Sequence, residues 1–249
     1  MISRASPDLD SRKALQREGR EVEGLTHYRL LADLFEYPHA GYPSKVMTVK
    51  GLLDDHCPVA AVELEQFLRL LPGSDLTAMQ ELFTRSFDVQ AMTTLDIGYV
   101  LFGDDYKRGE LLANLNREHR EAENDCGREL ADHLPNVLRL VAKLEDEDLI
   151  KEMVESILAP ALREMMSEFC PDRIAKKNES YKKHYKTIIE MPSVGNEAIA
   201  LYQFPLKALY EVLKQDFSLV ETIPSEQAND FLGSLRRENE IEEKAAAPY

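Results

Sequence analysis

Cysteine is scarce in this chain of 249 residues: Cys57, Cys126 and Cys170 are the only three, and they stand far apart. That spacing fits neither a disulfide framework nor a Cys-x-x-Cys zinc site. Long apolar runs are lacking too; none approaches the roughly 18 residues that a membrane-spanning helix needs. Basic residues are outnumbered, with 30 Lys and Arg against 45 Asp and Glu, for a formal net charge of −15. Phosphate contacts need the opposite balance, so general nucleic-acid binding is not expected. Glycine-rich phosphate loops, dinucleotide fingerprints and the Gly-x-Ser-x-Gly elbow are missing. Strand-like alternation is almost absent, and no repeat on the scale of about 20–50 residues is visible.

What is present is helical periodicity. Ala60, Leu64, Phe67, Leu68 and Leu71 form one stripe, stopped by Pro72-Gly73. Ser74 or Asp75 can cap the next helix, whose stripe is Leu76, Met79, Leu82, Phe83 and Phe87. A long helix follows Glu145-Asp-Glu-Asp148, an acidic run suited to the positive end of a helix dipole. It carries Leu149, Met153, Val154, Ile157, Leu158, Leu162, Met165, Met166 and Phe169, and Pro160 inside it should kink or split it. Pro205 introduces a last stripe through Leu206, Leu209, Val212, Leu213 and Phe217; Ala198 to Tyr202 reads as a loop or short helix. The reading is one all-α helical domain over 24–222, between a polar tail at 1–23 and a mobile acidic tail at 223–249. With 44% hydrophobic residues the chain is long enough for a sizeable core. Arg4, Asp8, Asp10, Arg12 and Lys13 precede no apolar stretch, so no cleaved signal peptide and a cytoplasmic location are expected.

Metal chemistry has little sequence support. Only Glu36-Tyr-Pro-His39 has the Glu-x-x-His spacing of a di-iron bundle, and Pro38 breaks the helix between the two ligands. Asp54-Asp55-His56-Cys57 holds three ligand types, but adjacent helical residues point in different directions, so a polar helix end is the simpler account. The basic cluster from Arg173 to Lys186 reads as the solvated face of a helix. No catalytic residue, metal ligand or stably bound cofactor is assigned. Binding is what remains. Phe83, Phe87, Leu95, Tyr99 and Phe102 bring apolar surface close to Asp88, Asp96, Asp104 and Asp105, the makings of a groove with an apolar floor and an acidic rim.

The most informative stretch is Glu129-Leu-Ala-Asp-His-Leu-Pro135, which opens a helix with the apolar face Leu134, Val137, Leu138, Val141 and Leu144. On the residues alone, Asp132 caps that helix and Pro135 sits in its first turn; alternatively Asp132 and His133 form a polar site. Two further segments stand in order before it. One is His27-Tyr-Arg-Leu-Leu-Ala-Asp-Leu-Phe-Glu-Tyr-Pro38; the other runs from Phe83-Thr-Arg-Ser-Phe-Asp88 through Thr93-Thr-Leu, Tyr99 and Phe102 to Asp105-Tyr-Lys-Arg-Gly109. Together, over about residues 27–145, they resemble the NarJ-type assembly chaperones of respiratory nitrate reductase, within the TorD/DmsD group of redox-enzyme maturation proteins. Ala131 stands where that family usually has proline, Asp96 where histidine is common, and Val89 where an aromatic residue is usual.

The resemblance implies an all-helical TorD-like fold and a chaperone rather than an enzyme. Its partner would be the apo catalytic subunit of a molybdenum oxidoreductase, bound through the N-terminal or leader peptide. It would assist insertion of molybdopterin guanine dinucleotide into that client as a monomer or weak dimer, without stable membrane association. Asp132 and His133, with Glu129, are the first client-binding candidates; Asp88, Leu95, Tyr99, Phe102, Arg108 and Gly109 follow, Gly109 with a role in starting a helix as its alternative. The competing reading is a general helical peptide-binding adaptor with an unrelated client.

Overall fold

The computed structural model describes residues 25–184 and 200–219. These are helical, with no strand among them; one isolated antiparallel bridge joins Asp96 and His133. The expected tails at 1–23 and 223–249 lie outside the described residues, as do most of the side chains of the basic cluster after Lys177 and the first two residues of the Ala198 to Tyr202 stretch. No helix among the described residues is long and apolar enough to cross a membrane.

The described residues open with α1 (His27–Ala32), which tightens into a 3-10 turn at Asp33–Phe35 and ends before Pro38. Two helices follow with prolines in their first turns, α2 (Tyr42–His56) and α3 (Pro58–Leu70). A missing N–H costs nothing there, because the first donors of a helix have no internal partner. They pack as a pair, and α3 in turn lies along the last described helix, α11 (Gln203–Phe217). The expected stripe on α3 is the buried one: Ala60, Leu64 and Phe67 lose nearly all contact with water.

Asp75 caps α4 (Leu76–Phe87), accepting a hydrogen bond from the Ala78 N–H at 3.0 Å. Met79, Leu82, Phe83 and Phe87 are buried, while Leu76 at the first turn is exposed. The short α5 (Ile97–Phe102) leads to α6 (Tyr106–Glu121), capped by Asp105 through the Lys107 N–H at 3.0 Å. The strongly apolar α7 (Leu134–Val141) packs on α1. Asp146 caps α8 (Glu147–Met153), accepting from the Leu149 N–H at 3.0 Å, with Glu147 and Asp148 in the first turn as the dipole favours.

Pro160 neither splits nor sharply ends the helix that carries it. The winding widens to a π turn over Val154–Leu158, then resumes as α9 (Ala159–Glu168). The extra residue is placed just before the proline, where the ordinary hydrogen-bond ladder must fail in any case. Helix α10 (Pro171–His184) follows. Helix α9 packs on both α5 and α11, so the centre of the body is an aromatic and aliphatic mass. Tyr202 sits at its heart, with edge contacts to Phe67, Phe83 and Phe87 at 5.4, 5.5 and 5.0 Å between ring centroids.

Candidate functional site

Two loops build the site. One joins α4 to α5, the other leads into α7. The Ile97 N–H donates to the Asp132 carbonyl at 3.0 Å, and the Leu134 N–H donates to the Leu95 carbonyl at 2.8 Å. The second bond supplies an acceptor for the first donor of α7. Asp132 is therefore not the helix cap that its sequence position suggests. His133 occupies the cap position and makes no side-chain capping bond.

Asp132 is instead fully buried, beneath the surface the two loops form. Its Oδ2 accepts from Arg108 Nε at 3.0 Å, and Arg108 Nη2 donates to Asp96 Oδ2 at 3.0 Å. The other oxygen of Asp96 faces His133 Nδ1 at 3.2 Å. One guanidinium thus spans two carboxylates, with an imidazole at the outer end, and the Arg108 Cζ lies 5.2 Å from the centre of the Tyr99 ring. Arg108 can do this because its planar donors hold a fixed fork. Asp132 Oδ1 has no hydrogen-bond partner among the described residues.

The two carboxylates respond to this setting in opposite ways. Asp96 is held below the usual carboxylate range by its hydrogen bond with His133, with Arg108 adding to the effect against partial burial. Asp132 is pushed above that range by burial, which the Arg108 hydrogen bond only partly offsets. The outer carboxylate is thus the firmly ionised one. The inner one is retained at a desolvation cost, as a buried group that fixes Arg108.

A second layer holds the 129–135 segment. His119, buried in α6, donates from Nε2 to the Ala131 carbonyl at 2.9 Å, and its Nδ1 accepts from Asn124 Nδ2 at 2.9 Å. Asn124 also donates to the Asn136 carbonyl at 3.1 Å, while Asn136 Nδ2 donates to the carbonyls of Cys126 and Leu130 at 3.2 and 3.1 Å. Burial lowers the His119 pKa, which keeps the ring neutral and its donor and acceptor roles fixed.

In front of these groups lies a cleft of about 740 Å³. Phe35, Phe83, Phe87, Leu95 and Pro135 give it an apolar floor; Asp88, Asp96, Glu129, Arg128 and His133 stand along its walls, with Arg139 paired to Glu36. The rim carries both signs of charge and is not the acidic rim expected from sequence. Of the candidates, Asp88, Leu95, Glu129 and His133 meet at this cleft. Asp132 and Arg108 stand behind it, so a direct contact between Asp132 and a client is ruled out in this conformation by its burial. Tyr99 lines a neighbouring cleft with Asp88 and Lys177. Phe102 packs against the core. Gly109 is exposed inside α6, where an added Cβ would meet nothing within 4 Å, so neither the site nor the helix start requires a glycine there.

Sequence reasoning missed the roles of Asp96, His119, Asn124 and Asn136. Their partners are separated in sequence, and no local pattern announces them. It also missed a second polar cluster, in which His27 and His56 both meet Asp216. By contrast Glu36 and His39 do not converge: Glu36 pairs with Lys45 and Arg139, and His39 accepts from the Gly41 N–H. No family model matches this chain, and no curated protein matches it.

Proposed function

We propose that this protein is a TorD-like, non-enzymatic assembly chaperone whose client is the catalytic subunit of a nitrate-reductase-type molybdenum oxidoreductase. It binds the client's N-terminal or leader segment in the cleft between α4 and α7. It keeps the apo subunit open for insertion of molybdopterin guanine dinucleotide before complex assembly or export. One observation carries the reading: the sequence segments that bear the resemblance, around 93–109 and 129–135, meet through Asp96, Arg108, Asp132 and His133 at the wall of an apolar-floored cleft.

The cleft suits an amphipathic segment whose apolar face meets the floor and whose polar face meets walls of both signs of charge. A fully buried Leu or Phe contributes roughly 1.5–3 kcal/mol, whereas an exposed ion pair contributes at most about 1 kcal/mol. Apolar anchors therefore set the affinity, while Asp88, Glu129 and Asp96 set orientation and on-rate. The chaperone acts by binding a cofactor-accessible conformation better than the closed one.

The test pairs co-purification with titration calorimetry. The chain should capture the nitrate-reductase-type catalytic subunit of its own organism, and a synthetic N-terminal segment should bind with Kd near micromolar or tighter, about −8 kcal/mol. Moderate salt should weaken binding only modestly, because buried anchors are not screened. No binding at low salt, or capture of an unrelated client alone, would replace this reading with that of a general peptide adaptor.

A further inference from the structure

The geometry points to a second site, for a divalent transition-metal ion of the zinc class, with His27, His56 and Asp216 as its ligands. This does not rest on the chaperone reading, and it departs from the sequence expectation that no metal is held. His27 opens α1, His56 closes α2 and Asp216 stands in the last turn of α11. One ligand atom from each of the three lies within 4.8 Å of the other two. His27 Nε2 is 2.8 Å from Asp216 Oδ2, and His56 Nε2 is 2.9 Å from Oδ1. The two imidazole rings are 4.4 Å apart between centroids.

Tetrahedral zinc, with bonds of about 2.0–2.1 Å, sets its ligand atoms about 3.3 Å apart. Opening each carboxylate–imidazole pair from 2.8 and 2.9 Å by about half an ångström, with the imidazole nitrogens already within 4.8 Å of each other, admits the ion. The donor set selects the class: two imidazoles and one carboxylate suit zinc and its first-row neighbours, whereas magnesium and calcium prefer all-oxygen cages. The Tyr28 hydroxyl donates to Asp216 Oδ2 at 2.9 Å, the kind of outer hydrogen bond that orients a ligating carboxylate. Side-chain exposure is 8% for His27, 12% for Asp216 and 34% for His56. The cluster is walled on the His27 side and open on the His56 side, where an ion enters and water completes its shell. Asp216 is 189 residues from His27 and 160 from His56, so the ion ties the first helix of the described body to the last.

The experiment uses untagged full-length protein stripped of metal and titrated with zinc and with cobalt(II). One equivalent should bind, cobalt should give the intense visible absorption of a four- or five-coordinate site, and zinc should raise the thermal midpoint by several degrees. His56→Gln and Asp216→Asn, each shown by its metal-free melt to be folded, should bind at least about tenfold more weakly and lose the midpoint shift. His39→Gln, at an exposed histidine outside the cluster, should retain both. Absence of binding at micromolar zinc overturns the proposal, as does binding left intact by His56→Gln.

Discussion

A Cβ on residue 98 would lie 2.6 Å from Asp132 Oδ2, so Gly98 is what lets the buried carboxylate stand against α5. Leu111 would be crowded as well, at 3.0 Å. In an open helix, Gly to Ala gains up to about 1 kcal/mol. Here the overlap, which costs about 1–3 kcal/mol in a packed interior, should win. Gly98→Ala is expected to destabilise the fold in urea unfolding, and to do so less when Asp132 is already Ala. The pair should be non-additive by at least about 0.5 kcal/mol; additive effects would mean that the carboxylate moves aside freely.

Gly109 gives the opposite sign. Nothing approaches its missing Cβ, and it lies within α6. Gly109→Ala should therefore stabilise by about 0.4–1 kcal/mol and leave client maturation unchanged. A loss of maturation at wild-type stability would return Gly109 to the binding surface.

The buried His119 makes a prediction in pH. Its folded pKa lies below the unfolded value because burial disfavours the charged ring. Between the two values the unfolded chain binds more protons, so stability rises with pH there and is lost as pH falls below about 6.5. Chemical unfolding from pH 7.5 down to pH 5.5 should show a larger loss for the wild type than for His119→Gln. Parallel pH profiles would mean that the ring titrates alike in both states.

At the cleft the prediction separates contact from support. His133→Gln removes the imidazole that faces the cleft and should impair client maturation with little change in melting. Asp132→Asn acts from behind, through Arg108, so its effect on maturation should scale with displacement of Arg108 and Asp96. Client activity and molybdenum content in cells carrying each variant, beside melts of the purified proteins, decide the matter. Wild-type maturation by both variants would leave the pair as structure alone.

The helices were legible because their signals are local. The Asp75 cap, the acidic run at 145–148 and the stripes on α3, α4 and α7 can be read within four-residue spacings. The site was legible only in part. Asp132 looked like a cap because an acidic residue before a helix-starting proline usually is one; what displaced it was the Leu95 carbonyl, brought in by another loop. His119 and Asn136 serve backbone carbonyls, which leave no residue-type signature in a sequence. His27, His56 and Asp216 converge only once three helices have packed.

The π turn before Pro160 fixes a phase. In an α-helix each residue advances the side chains by about 100°, so the additional residue in Val154–Leu158 decides which way everything after it faces. Ile150 and Met153 before the turn, and Leu162 and Met165 after it, are all buried with that residue in place. Shortening the turn by one residue would rotate α9 as a whole. In the contacts with α5 and α11, the half-exposed Arg163 would take the place of the buried Leu162, and Met166 that of Met165. The length of this one turn is thus under tighter constraint than the identity of most residues in it. Single-residue deletions there should be far more damaging than substitutions at Glu155, a contrast that a deletion scan read by soluble yield and melting would measure.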